Sequence, residues 1–120
     1  MYKYGSRSKQ RLATCHPDIQ KVFNEAIKHM DITILCGERG EEEQQKAFES
    51  GNSKVQYPNS KHNTSPSIAI DASTYPYTTD IDTLKEMCWL IVGIAAGMGI
   101  KLRSGGLEWG WDYYHFELIQ

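Results

Sequence analysis

The run MCWLIVGIAAGMGI, Met87 to Ile100, constrains the chain more than any other stretch. Its 14 apolar or small residues are too few to span a bilayer, which takes about 20. A run of that composition must instead be buried in a protein core. It reads as the central helix of that core, opening near a Thr79/Asp82 capping box and running to about Met98. Leu84, Met87, Cys88, Ile91, Ile94, Ala95 and Met98 would face inward. A chain of 120 residues has room for one core around such a helix, so a single domain over residues 1–120 is expected.

The segments on either side show what packs against it. In HPDIQKVFNEAIKHM, Pro17 suits a first helical position. Ile19, Val22, Phe23, Ala26, Ile27 and Met30 recur at helical spacing, with Gln20, Lys21, Asn24, Glu25 and Lys28 opposite. DITILC predicts a buried strand from Ile32 to Cys36, ended by Gly37. EEEQQKAFESG predicts a polar helix closing at Gly51. Residues 51–67 read as a long loop, Ile68 to Ala72 as a strand, and TYPYTTD as a turn. IKLRS and HFEL read as strands flanking a Gly-aromatic loop, GGLEWGWDY. Helices and strands do not alternate as βαβ units, which predicts an α+β fold with a small, mostly antiparallel sheet and about three helices. Residues 1–11 read as a loose polar segment whose basic residues, Lys3 to Arg11, are solvated.

Composition removes several classes of function. The net charge of −2 and the scattered basic residues argue against a nucleic-acid partner. The three cysteines, Cys15, Cys36 and Cys88, form no CxxC pair, which argues against a cysteine-rich zinc site and fits a reducing compartment during folding. Cys36 and Cys88 lie in apolar runs and read as buried thiols. MYKYGSRSKQR carries no apolar leader. The expectation is a chain made in the cytoplasm, without stable membrane insertion, that another factor must release if it acts outside.

Of the four histidines, His16 reads as a helix-start residue and His29 as a solvated one. His62 lies in a polar loop feeding a strand, and His115 opens a short strand. With Asp71 they form a possible set of two imidazoles and one carboxylate, the type that holds zinc in hydrolases and leaves a position for water. On spacing alone this signal is weak.

The surroundings of these residues sharpen it. Ser60, His62, Ala69 and Asp71 match a Ser-x-His then Ala-x-Asp motif. Asp112, His115, Phe116 and Glu117 match an Asp-x-x-His-Phe-Glu motif. Gly37, Arg39, Glu43, Gln44, Gly51, Ser53 and Lys54 match a third, Gly-x-Arg before a Glu-Gln helix and a Gly-x-Ser-Lys run. In this order, over residues 12–119, they resemble the zinc D-Ala-D-Ala carboxypeptidase (VanY-type) superfamily, including the phage L-alanyl-D-glutamate endopeptidases. The resemblance implies the α+β metallopeptidase fold shared with DD-peptidases and hedgehog domains. It also implies one zinc per chain on His62, Asp71 and His115, and a peptidoglycan stem peptide as substrate.

It further implies roles for neighbouring residues. Asp112 is the candidate general base, with a turn-capping carboxylate or a fourth metal ligand as alternatives. Arg39 is the candidate donor to substrate and developing oxyanion; the alternative is a surface salt bridge to Glu41–Glu43. Gln44 and Ser60 are candidate substrate-binding residues. Glu117 either orients His115 from behind or faces solvent. Trp109, Trp111, Tyr113 and Tyr114 either pack or wall a peptide cleft. Two departures stand out. The linker from His62 to Asp71 is long and carries NTSPS where better-known members have a shorter turn with glycine, which points to the phage branch. Tyr114 stands where many relatives have proline. The function expected is an endolysin cutting the L-Ala–D-Glu bond as a monomer during host lysis. A D-Ala-D-Ala carboxypeptidase or dipeptidase is the alternative within the superfamily, and a non-catalytic metal- or wall-binding domain the alternative outside it.

Overall fold

The computed structural model describes residues 1–120. Five α-helices and four strands follow in the order α1 (Ser6–Leu12), α2 (Pro17–Ala26), β1 (Ile32–Cys36), α3 (Glu41–Glu49), β2 (Ala69–Thr74), α4 (Ile81–Gly97), β3 (Leu102–Ser104), α5 (Gly105–Trp109) and β4 (His115–Leu118). The strands form one antiparallel sheet in the order β1-β2-β4-β3. The fold is therefore α+β, as the non-alternating pattern predicted.

The sheet has a core face and a site face, set by the period of two along each strand. Ile32, Ile34, Ile70, Ala72, Phe116 and Leu118 point into the core. There they meet Ile19, Val22, Phe23 and Ala26 of α2 and Leu84, Met87, Cys88, Ile91 and Ala95 of α4. Phe23 and Phe116 pack edge to face at 5.7 Å. The opposite face of β2 and β4 carries Asp71, His115 and Glu117. No helix is long and apolar enough to cross a membrane.

Several expectations need correction. Residues 1–11 are not loose: Ser6–Leu12 is helical, Tyr4 is buried, and its hydroxyl donates to the Phe23 carbonyl at 2.7 Å. Helix α1 lies along the outer edge of β1, where the Ser8 hydroxyl accepts from Ile34 N–H at 2.9 Å and Arg11 donates to the Ile34 carbonyl at 3.0 Å. The cap of α4 is Asp80, which accepts from the backbone N–H and the hydroxyl of Thr83, rather than a Thr79/Asp82 pair. Met98 is exposed because α4 ends beside it. Helix α2 stops at Ala26, short of Met30.

The Gly-aromatic stretch contains α5, capped by the Ser104 hydroxyl. Its two glycines are needed for close approach. A Cβ on Gly106 would lie 2.2 Å from the Tyr113 ring, and one on Gly105 would lie 2.7 Å from the Asp112 carbonyl oxygen.

Candidate active site

Strand register assembles the site. Asp71 is the direct partner of His115 across β2 and β4, and of Cys36 across β1 and β2. Partners in a ladder project to the same face, so a cysteine, an aspartate and a histidine form one row over three strands. Cys36 reaches the row only through a bulge: Ile34 pairs with Ala72, and the next pairing is Cys36 with Asp71, which leaves Leu35 over. A bulge re-aims the residues beyond it. Cys36 is consequently half-buried at the site, not a core thiol as its apolar run suggested; Cys88 is buried.

His62 comes from a 3-10 turn, Lys61–Asn63. Ser60 shapes that turn: its hydroxyl accepts from His62 N–H at 3.2 Å, and Asn63 Oδ1 accepts from Ser60 N–H at 2.9 Å. His62 is 3% exposed. Its Nδ1 donates to the Gly37 carbonyl at 2.8 Å, which leaves Nε2 facing Asp71 Oδ1 at 3.3 Å. Gly37 itself is packed against the end of α1, where a Cβ would fall 2.3 Å from the Arg11 carbonyl oxygen.

His115 is held in the complementary way. Its Nε2 contacts Glu117 Oε1 at 2.8 Å, and its Nδ1 faces Asp71 Oδ1 at 3.1 Å. Glu117 is buried, and Lys61 Nζ donates to its other oxygen. It therefore backs His115 rather than facing solvent. Each imidazole thus has one nitrogen tied from behind and the other aimed at the same carboxylate oxygen.

The electrostatics follow from this convergence. Burial alone would lower the pKa of His62, but Asp71, then Cys36, outweigh it and raise the pKa to about 10. His115 is likewise raised, with Asp71 and Glu117 overcoming burial. For Asp71 the penalty of burial is outweighed by His115 and His62, which hold it far below the usual carboxylate range. Glu117 is held low against burial by Lys61 and His115. The pocket demands a positive charge at Asp71 Oδ1, supplied by protons or by a metal ion.

The donor chemistry fits such an ion. Donor atoms of Cys36, His62 and Asp71 all lie within 4.8 Å of one another, and His115 adds a nitrogen beside Asp71. Two imidazoles with anchored second nitrogens and a carboxylate suit zinc-type coordination. Nothing in the apolar run ITILC signals the bulge that brings Cys36 to the site.

Arg39 lies across Asp71. Its Nη2 is 3.5 Å from Asp71 Oδ2 and 3.6 Å from Cys36 Sγ, and its Nη1 donates to Gln44 Oε1 at 2.9 Å. It pairs with the site carboxylate, not with Glu41–Glu43. Gln44, expected to bind substrate, is instead fully buried. Its oxygen accepts from Arg39 and from Asn63, and its nitrogen donates to the Ser53 hydroxyl at 2.8 Å and the Val55 carbonyl at 2.7 Å. Every donor and acceptor of the amide is used, so Gln44 ties Arg39 to the 53–55 loop and has nothing left for a ligand.

These groups open onto a cleft of about 320 Å³ whose lining includes Arg39, Ser60, His62, Asp71, Asp112 and His115. Asp112 is half-buried, and burial followed by the charge of Asp71 raises its pKa, against the pull of His115. Trp109 stacks on His115 at 5.5 Å and on Trp111 at 5.9 Å. Both indoles line the cleft, whereas Tyr113 and Tyr114 pack against the core. A larger groove of about 710 Å³, bounded by Asp18, Lys21, Glu25 and Met98, shares no residue with this cleft and holds no histidine or cysteine.

Comparison with known proteins bears on the family and the fold. The profile of a family described as phage L-alanyl-D-glutamate peptidase matches residues 1–118. A crystal structure of the Serratia marcescens L-Ala D-Glu endopeptidase ChiX superposes with a TM-score of 0.82 at 24% identity, covering 98% of this chain and 90% of that one. At that identity the likeness speaks for the fold. A search of curated proteins finds no match.

Proposed function

We propose, from the premise that the chain belongs to the phage L-alanyl-D-glutamate peptidase family, that it hydrolyses the L-Ala–D-Glu bond of the stem peptide with one zinc ion held by His62, Asp71 and His115. The chain is a peptidoglycan peptidase. Its finer role in this reading is that of a phage endolysin, a monomer made in the host cytoplasm and released to the wall by another factor.

The observation that supports the metal reading best is the approach of His62 Nε2 and His115 Nδ1 to one oxygen of Asp71, at 3.3 and 3.1 Å. Zinc bound there would polarise the scissile carbonyl and acidify water. The chain's own groups do the rest. The Gly37 carbonyl and Glu117 fix the two rings, so their cleft-facing nitrogens stay unprotonated when a metal replaces the protons. Asp112, with its raised pKa, takes the proton of the attacking water and passes it to the leaving amine. Arg39, steadied by Gln44, donates to the oxygen on which charge develops. Ser60 acts through the turn that presents His62.

The test is mass spectrometry of fragments released from purified peptidoglycan, with and without chelator and with zinc restored. New L-Ala carboxyl ends that vanish with chelator and return with zinc are expected. Release of D-Ala instead would move the cut to the peptide's far end. Activity untouched by chelator would end the metal reading.

A further inference from the structure

The cleft is rich in carboxylates. Asp71, Asp112 and Glu117 all line it, so a carboxylate of an incoming peptide is held best by a cation that is not already paired with one of them. Two of the cleft's three Lys and Arg side chains lie beside its carboxylates. Arg39 faces Asp71, and Lys61 is paired with Glu117. The third is Lys54, which has no carboxylate partner; its Nζ sits over the Trp111 ring, 4.9 Å from the centroid. Its backbone belongs to the loop that buried Gln44 fastens through Ser53 and Val55. Lys54 is thus a cation on an anchored loop, steadied by an indole, at the end of a stacked row formed by Trp111, Trp109 and His115.

We infer that Lys54, with Trp111 as its platform, binds a carboxylate of the stem peptide on the leaving-group side and so sets substrate preference. This rests on the proposed L-Ala–D-Glu cut. Two carboxylates of the same chemistry lie on that side. D-Glu is joined onward through its side-chain carboxyl, so its α-carboxylate is ionised two bonds from the scissile nitrogen. The next residue, where it is a diamino diacid, carries a second. Lys54 touches no reacting atom, so it is a specificity residue and its contribution falls on KM.

The experiment uses three synthetic stem peptides: one with both carboxylates, one with the D-Glu α-carboxamide, and one with the carboxamide on the following residue. Wild type, Lys54→Met and Lys54→Arg are compared, each with its zinc content measured. Wild type is expected to lose about tenfold or more in kcat/KM on one of the two amides, through KM, as befits a charge-assisted hydrogen bond. The amide that causes the loss identifies the carboxylate. In Lys54→Met the penalty should shrink towards one; in Lys54→Arg most of it should return. A penalty that persists in Lys54→Met, or wild type indifferent to both amides, overturns the inference while leaving the proposed cut intact. If wild type leaves the L-Ala–D-Glu bond whole in all three peptides, the proposed cut fails and this inference falls with it.

Discussion

Asp71 and His115 are direct partners across the β2–β4 ladder, and their side chains meet at 3.1 Å. A pair set by register is held by backbone hydrogen bonds on both sides, so neither residue can move without disturbing the sheet. His62, by contrast, is delivered by a turn. The same carboxylate also faces Cys36 across β1, and the two possible donor sets make opposite predictions. If His62, Asp71 and His115 hold the metal, alanine at any of the three should remove most bound zinc, while Cys36→Ala should keep about one ion per chain. Metal analysis of the purified variants checks this; full zinc in His115→Ala together with loss in Cys36→Ala would transfer the site to Cys36, His62 and Asp71.

Asp112→Asn should retain the fold and the metal yet lose activity by about 100- to 10,000-fold, the usual weight of general-base catalysis. The amide fills nearly the same space but accepts no proton. A parallel fall in zinc would make Asp112 a ligand, and unchanged turnover would leave it structural.

Gln44→Ala should destabilise the protein by on the order of 1–3 kcal/mol, because it removes a fully buried amide that bridges the part-buried groups of Arg39, Asn63, Ser53 and Val55. Denaturant titration measures the loss. Turnover should fall as well, since Arg39 Nη1 would no longer be tethered. A Gln44→Ala protein as stable as wild type would show that water replaces the amide without cost.

The pocket's protons predict a pH dependence confined to the metal-free protein. In the unfolded chain His62 titrates near 6.5, whereas in the fold Asp71 keeps it protonated to about 10. Between those values the folded state binds more protons, so stability must fall as pH rises. Thermal unfolding of chelator-treated protein should therefore show Tm dropping from about pH 7 to about pH 10, and His62→Gln should lessen that slope, leaving the share that His115 contributes. Zinc-loaded protein should lack it, because its imidazoles are already neutral. An equal slope with metal bound would contradict the assignment.

The sequence made the site legible where local chemistry carries it. His62, Asp71 and His115 are singled out by the Ser-x-His, Ala-x-Asp and Asp-x-x-His-Phe-Glu motifs around them, their spacing alone being a weak signal, and α2 and α4 announce themselves by helical spacing. What stayed hidden depends on contacts between distant segments. Counting by twos from Ile32 and Ile34 puts Cys36 in the core; only the extra residue, Leu35, turns it towards Asp71. Gln44 looked like a ligand group on a polar helix, and nothing local says that Arg39, Ser53 and Val55 will enclose it. SRSKQRL has too few apolar residues to signal a packed helix, because α1 is fastened through Ser8 and Arg11 to the backbone of β1. Helix α5 opens with two poor helix formers, Gly105 and Gly106, and forms where the 112–113 segment passes too close for any side chain.

The docking of α1 on β1 also bears on how the protein can fail. Edge strands offer unpaired N–H and C=O groups to any other chain, and here Ser8 and Arg11 occupy those of Ile34. A cut or fusion that lifts Ser6–Leu12 away would leave Asp71, His115 and His62 in place while baring a ready template for a neighbour's strand. Damage at this end of the molecule should therefore announce itself as self-association, with the strands that carry Asp71 and His115 still paired inside the aggregate.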